Sequence, residues 1–418
     1  MDRERRAVRL ALVTFGPFGR LEGGLAVRSA VVRKILEDLN ALAGVVVVEE
    51  SRSAESRGQS SGFGSRLPAR EGSIPLWTVE GRGRVAWMRD LRRTLRALDG
   101  TFDGFVVESA LLGLATLGLA GPVIWDTNEC ETLHYLRLPG APGVKARLVA
   151  WFVIEMVMGL RSAVVVAVSE VEAAHWRRLF PWTRKKVQVG THVPLLGHGR
   201  DAAAGRRIAD HGGVVAEPGA RSPEPGARSL EPGAPSSPTS PGGRYVLFLG
   251  NLLAKHNRTA AAFACAEVAP TLPDGVRLVL AGQGTAELCP ERAERVEGLG
   301  FVDDVDSLIA GAECAVAPLL SGAGVKTKVL HAIALGTRVV ATPVALEGIE
   351  GAPGVVVAEA TVFANAVGAL LAAAESPNAR AARRAAQAQW CAARFDEARL
   401  RREWSAIIAA AFASRRRR

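Results

Sequence analysis

The sequence predicts an α/β protein of two facing, doubly wound domains with a long disordered linker between them, and three observations predict it. Short apolar strands alternate with helical patterns on both sides of the chain's midpoint, the order that builds parallel sheets. Glycine-rich turns follow several of these strands, at Gly16 to Gly24, Gly250, Gly282 to Gly284 and Ser321 to Gly324. Between the two series lies a Pro/Gly/Ala/Arg-rich stretch in which Glu217–Pro223, Glu224–Leu230 and Glu231–Ser237 are near-copies of Glu-Pro-Gly-Ala-Arg-Ser-x. Closely spaced Pro and Gly with no aliphatic core cannot offset ordering entropy, so this stretch reads as a flexible linker. The expected division is a first domain over 1–194, a linker over 195–243, a second domain over 244–394, and a terminal helix with a basic tail over 395–418.

Composition supports two cores: 418 residues, 48% of them hydrophobic, suffice for both. A net charge of +10, four of it from Arg415 to Arg418, points to an anionic partner such as a nucleotide or a phospholipid surface. Nucleic acid is not expected, because two tyrosines and no aromatic-rich basic stretch leave no stacking platform for single strands. Cys130, Cys265, Cys289, Cys314 and Cys391 are scattered without metal-ligand spacing and read as core residues in a reducing cytosol. Leu10 to Phe15 is too short for the core of an export signal. The longest apolar run, Leu148 to Leu160, contains Glu155 and falls short of the about 20 residues a membrane span needs. It reads either as a buried helix of the first domain or, flanked by Lys145, Arg147 and Arg161, as a helix on a bilayer surface. A cytoplasmic protein is expected, with peripheral contact to the inner face of a membrane left open.

In chain order, Arg9 to Phe15 forms a strand, and the loop through Gly23 and Gly24 leads to a helix from about Leu25 to Leu39. The loop lacks G-x-G-x-x-G spacing and is no dinucleotide fingerprint. Val45 to Val48 is the second strand, and Glu50 to Pro75 shows no apolar periodicity and reads as a surface loop or a lid. Phe102 to Glu108 and Pro122 to Asp126 are further strands, so that Asp126 to Glu129 sits at the functional edge of a parallel sheet. Asp126 and Glu131 are candidates for an acceptor base there, and helix capping is the competing role. Ala163 to Ser169 is a strand, followed by a helix carrying Glu172 and His175. In the second domain, Tyr245 to Gly250 leads to Lys255 and Arg258, and Arg277 to Ala281 ends in Gly282-Gln283-Gly284.

The most informative stretch is Ala317 to Ile349, which reads as strand, small-residue turn, helix (Val325 to Leu335) and strand. Gly322 and Gly324 leave backbone amides free to converge at a helix N-terminus, where an anion is favoured. Lys326 and Lys328 in the first helical turn would oppose the macrodipole unless something negative sits nearby. A bound phosphate resolves that conflict, and solvated surface lysines are the alternative. The last helix spaces Leu400, Trp404, Ile408 and Phe412 four apart, an apolar stripe that must pack on something.

At Pro318, Gly322, Gly324, Lys326, Lys328, Leu330, Ala332, Gly336, Val339, Val340, Thr342, Glu347 and Gly348 the chain resembles the donor-binding segment of family 4 nucleotide-sugar glycosyltransferases of the GT-B fold. The resemblance implies two facing Rossmann-like domains and transfer of a sugar from a nucleoside diphosphate sugar to an acceptor hydroxyl. Retention of configuration is implied with it; no cofactor is expected, and no Asp-x-Asp motif suggests a metal. It further implies that Gly23, Gly24, Gly250, Lys255, Arg258, Gly322, Gly324, Lys326, Lys328 and Glu347 surround the donor, with Val302 meeting the base through its backbone. Lys255 and Lys326 would stabilise the leaving group. Members often carry two glutamates that Ala323 and His331 replace here, which leaves His331 as the candidate ribose or leaving-group contact. Gly190-Thr191-His192-Val193 stands where the family has Pro-Asn-Gly-Val. The acceptor stays open among lipid-linked glycan, polysaccharide and small molecule. The competing functions are an epimerase of nucleotide sugars, which would draw on Glu172 and His175, and a non-catalytic binding protein of the same fold.

Overall fold

The computed structural model describes residues 7–16, 24–50, 65–66, 74–81, 84–127, 129–138, 143–191, 241–288 and 295–413. Most of the expected linker, residues 195–240, lies outside them, as do Gly23, Asn128, His192, Cys289 and the four terminal arginines.

The first sheet has eight strands: β1 (Leu10–Phe15), β2 (Leu42–Glu50), β3 (Ser65–Arg66), β4 (Leu76–Gly81), β5 (Gly104–Val107), β6 (Val123–Asp126), β7 (Val164–Ala167) and β8 (Val187–Val189). Their order is β3-β4-β2-β1-β5-β6-β7-β8, parallel throughout except for β3 against β4. The second sheet is fully parallel: β9 (Arg244–Leu249), β10 (Val276–Ala281), β11 (Val296–Gly298), β12 (Cys314–Ala317), β13 (Val339–Ala341) and β14 (Val355–Val357), in the order β11-β10-β9-β12-β13-β14. Runs such as Val45–Val48 and Val164–Val166 are buried on both faces, as strands covered by helices above and below must be.

The chain order within each sheet decides where a ligand fits. In the first sheet the chain works outward from β1 through β2 to β4 and then resumes at β5 on the other side of β1. The second repeats the move: β9, β10 and β11 run one way, and β12 resumes beside β9. Loops on either side of such a reversal splay apart and leave a crevice beyond the strands' C-terminal ends. In the second sheet that crevice lies between the loop after Leu249 and the loop after Ala317.

The helices of the first lobe are α1 (Gly24–Asp38), α2 (Arg84–Leu98), α3 (Ala110–Leu114), α4 (Glu131–Leu136), α5 (Val144–Arg161) and α6 (Glu170–Leu179). The second lobe follows with α7 (Lys255–Phe263), α8 (Thr285–Leu288), α9 (Val305–Gly311), α10 (Thr327–Ala334), α11 (Phe363–Ala372) and α12 (Pro377–Arg394). β4 and α2 have no counterpart in the sequence reading, although Trp87, Leu91 and Leu95 are buried at four-residue spacing on α2. α5 departs from the buried-helix reading. Its inner face holds Glu155 and Met158 in the lobe, while Val149, Val153 and Leu160 face outward.

The final helix, α13 (Glu397–Ala413), leaves the second lobe and packs on the first sheet. Leu400, Trp404, Ile407, Ile408 and Ala411 join Leu10, Leu12, Val32 and Val166 in one core. Glu403 on this helix accepts from the Thr191 amide at 2.8 Å and from its hydroxyl at 2.9 Å, which ties the end of β8 to the crossing.

Candidate functional site

The crevice of the second sheet is built from glycine. Gly282, at φ +124°, brings its backbone so close to Gly250 that an added Cβ would lie 2.3 Å from the Gly250 carbonyl oxygen. Only a residue without a side chain lets the loops after β9 and β10 meet there. After β12, Gly322 (φ +127°) and Gly324 (φ +73°) turn the chain into α10. Among the described residues, the amides from Gly322 to Lys326 donate to no backbone carbonyl.

α10 begins at Thr327, two residues later than the spacing suggests, so Lys326 is its cap and not part of its first turn. The Lys326 ammonium folds back on the Ala323 and Gly324 carbonyls, at 2.5 and 2.8 Å. Burial lowers its pKa against the opposing influence of Glu129, Glu347 and Glu172, two of which belong to the first lobe. Lys328 donates to Asn257 Oδ1 at 2.6 Å and lies 4.9 Å from the centroid of the Phe248 ring. Burial, and then Lys326, pull its ammonium down to about 7. Gly250 faces this group: an added Cβ would stand 3.2 Å from Lys328 Nζ. Gly250, Gly322, Gly324, Lys326 and Lys328 are therefore brought together. Lys255, exposed at the first position of α7, faces His134 of the first lobe.

Other expected residues stand apart from that cluster. Arg258 is exposed, and its Nε donates to the Leu252 carbonyl at 3.1 Å. His331 lies on the side of α10 that meets α9, with Nε2 2.7 Å from Asp306 Oδ1. Val302 packs against the second core at the β11 end, next to Asp304, which caps α9 through the Ser307 amide at 3.1 Å. Gly24 opens α1, and Gly23 lies outside the described residues.

Asp126 is turned inward. It is fully buried, and Arg28 pairs with both its oxygens, with Nε at 2.9 Å and Nη2 at 2.7 Å, so the carboxylate is turned into the lobe and away from solvent. Arg28 continues to the Thr191 carbonyl at 3.0 Å. Neighbouring carboxylates of this lobe are equally interior. Glu155 accepts the amides of Glu131 and Thr132 at 2.8 and 3.1 Å, capping α4 from α5. Burial raises Glu155 and Glu108 to about 7, and Glu131 and Glu172 to about 8. Glu172 accepts the Val168 amide at 2.9 Å through Oε2, and its Oε1 has no hydrogen-bond partner.

Three participants were not singled out from the sequence. Arg137, just beyond α4, crosses between the lobes: Nη1 donates to the Gly322 carbonyl and to Glu347 Oε2, both at 2.8 Å, and Nη2 reaches Glu347 Oε1 at 2.5 Å. Ser169 meets Gly348 (φ +82°) across the same gap, where an added Cβ would lie 2.8 Å from Ser169 Cβ. His256 packs edge-on to His134 of the opposite lobe, with centroids 5.8 Å apart. Burial, then Lys328, lowers His256 to about 4, and burial lowers His134 as well against the opposing pull of Glu129. No local signal in the sequence marked Arg137, whose partners Gly322 and Glu347 lie in the other half of the chain. The cleft thus presents Lys255, Lys326, Lys328 and Arg137 around bare amides, with Glu129, Glu347 and the imidazoles of His134 and His256 beside them, an arrangement suited to an anion carrying hydroxyl groups.

Residues 243–373 match the family model described as glycosyl transferases group 1. No curated protein matches the chain by sequence. Among solved structures, the sucrose-phosphate synthase of Thermosynechococcus elongatus superposes with a TM-score of 0.66 at 14% identity, covering 97% of this chain and 100% of that one. The UDP-forming α,α-trehalose-phosphate synthase of Burkholderia vietnamiensis gives 0.62 at 13% identity, covering 99% of each. HepE of Anabaena, in complex with UDP and glucose, gives 0.59 at 13% identity, covering 96% of this chain and 99% of that one. Two parallel sheets with their crevices turned toward each other, in an arrangement shared end to end with these proteins, give the chain the GT-B fold.

Proposed function

We propose that the protein transfers a hexosyl group from a nucleoside diphosphate sugar to an acceptor hydroxyl, with retention of configuration, in the manner of family 4. The observation that carries this reading is the convergence of Lys326, Lys328 and the amides after Gly322 at the mouth of the second sheet, faced by Arg137 from the first lobe. In the transfer, the bond from sugar C1 to the β-phosphate oxygen breaks and its electron pair stays on that oxygen. The acceptor oxygen bonds to C1, and its proton passes to the departing diphosphate. Charge grows on the diphosphate as the bond breaks, and fixed cations in a partly dry cleft stabilise it without reorganising. Lys255 and Arg137 close the ring of charge from either side. His331, outside the lysine cluster and held by Asp306 but only three residues beyond Lys328, is assigned the ribose contact, and Glu129 and His134, which lie near Lys326, are assigned to sugar and acceptor.

The protein's own cations take the place of a metal in this scheme, so a chelator is expected to leave turnover unchanged. Calorimetric titration with UDP, GDP and ADP tests the reading, and UDP is the first choice because HepE, which shares the fold, is seen with UDP and glucose. Micromolar binding of one nucleotide, lost in Lys328→Ala, is expected. If no nucleoside diphosphate binds, the reading fails; binding with neither transfer nor hydrolysis of any sugar donor would make the chain a binding protein.

A further inference from the structure

We infer that the outer face of α5 seats the first lobe on an anionic bilayer surface. Val149, Phe152, Val153 and Leu160 follow helical spacing along one stripe and are 62%, 37%, 45% and 58% exposed. Trp182, 43% exposed, extends the stripe sideways: it packs edge-on to Phe180, which stacks on Phe152, and it lies beside Gly159. An apolar strip of this length, wide enough to include an indole, is unusual on a surface that meets only water.

The exposed charged residues at the two ends of the stripe, on α5 and just after Trp182, are cationic. Lys145 heads the stripe one turn before Val149; Arg147, also exposed, stands on the other side of the helix. Arg184 and Lys185, both exposed, follow directly after Trp182. The single carboxylate of α5 is Glu155, which points inward to cap α4, and the segment 181–186 has none. Apolar side chains bordered by lysine and arginine, with an interfacial tryptophan, match the boundary between acyl chains and anionic headgroups. A second copy of the chain fits the face poorly, because a two-fold contact would bring the cationic borders against each other. None of the helices among the described residues is long and apolar enough to cross a membrane, so contact of this kind is peripheral.

The location gives the contact a purpose. α5 packs on α4, and Arg137 just past α4 reaches the Gly322 loop, so the bilayer would lie about one helix diameter, roughly 10 Å, from the cleft. On the transfer reading, that favours an acceptor hydroxyl carried on a lipid.

The test is sedimentation of the full chain with phosphatidylcholine vesicles, with and without an equal part of phosphatidylglycerol. The wild type is expected to sediment with the anionic vesicles and to stay in solution with the neutral ones. Val149→Asp combined with Leu160→Asp is expected to weaken that partition by about tenfold or more, with unchanged melting temperature and unchanged nucleotide titration. Lys145→Glu with Lys185→Glu should weaken it without touching the apolar stripe, and decides the matter if the first variant proves misfolded. A wild type that ignores anionic vesicles overturns the inference, as do variants that sediment like the wild type, or a dimer in solution that the apolar variant dissolves. None of these results bears on nucleotide binding, so they separate failure of this inference from failure of the transfer reading.

Discussion

The two lobes put their polar residues at the same place in the fold and spend them in opposite directions. At the strand ends of the first sheet, Glu108, Asp126 and Glu172 point into the protein and are met by Ser29, Arg28 and the Val168 amide. At the strand ends of the second, glycines strip the loops down to backbone, and Lys326 and Lys328 line the space that remains. The first arrangement holds a lobe together, whereas the second gathers ammonium groups and bare amides at one turn. Ionisable groups at the edge of a parallel sheet are thus no guide by themselves to where chemistry happens.

Substitutions can break that contrast. Asp126→Ala would leave Arg28 buried without its partner, a change that costs about 3–5 kcal/mol in comparable buried pairs. Urea unfolding should show the loss, with nucleotide affinity unchanged for whatever protein remains folded; a stable variant that cannot turn over would return Asp126 to the cleft. Lys328→Ala should do the reverse. Melting temperature should not fall, because burial of this ammonium opposes folding, while nucleotide affinity falls about 10- to 100-fold, the effect of losing a charged hydrogen bond worth about 1.5–3 kcal/mol.

The pH response sharpens the same distinction. Glu172 ionises near 8 in the folded lobe against an ordinary value of 4.5, so its contribution is full below 4.5 and is lost as pH rises through 8. Stability should therefore decline from about pH 5 to pH 9, and Glu172→Gln should flatten that decline in thermal melts. Lys328 has the opposite sign: its folded pKa is depressed, so the free protein gains stability above pH 7, whereas anion binding favours the protonated form and weakens as pH rises. The smallest effect expected is the Arg137–Glu347 contact, a bidentate pair only 24% and 16% exposed, where a double-mutant cycle on stability should give about 0.5–3 kcal/mol. A coupling that grows well beyond this when nucleotide is present would show that the donor itself draws the lobes together.

What could be read from the sequence was local. Strands of consecutive valines, glycines before a helix and the four-residue stripe on the last helix each signal their structure within a dozen residues. Asp126 could not be resolved that way, because its partner Arg28 lies 98 positions away, and a carboxylate at a strand end looks the same whether it caps, catalyses or pairs inward. Arg137 and Glu347 are 210 apart, a separation at which only folding brings a contact into view. β4 and α2 escaped notice because they follow a long stretch without periodicity, with just two residues between Gly81 and Arg84 to mark the turn. The outer face of α5 was ambiguous for a different reason. Apolar residues all round a helix indicate burial unless one side has no neighbour, and neighbours are not written in the helix.

The crossing of α13 has a consequence for biosynthesis. Trp404 and Ile407 complete the hydrophobic interior of the first lobe, yet they are translated only after the whole of the second. The early lobe must therefore wait, with that patch of its surface uncovered, while the whole of the later one is translated. A chaperone that shields apolar surface would have its longest engagement at α1 and β1, and pulse-labelled chains halted before residue 397 should stay protease-sensitive there.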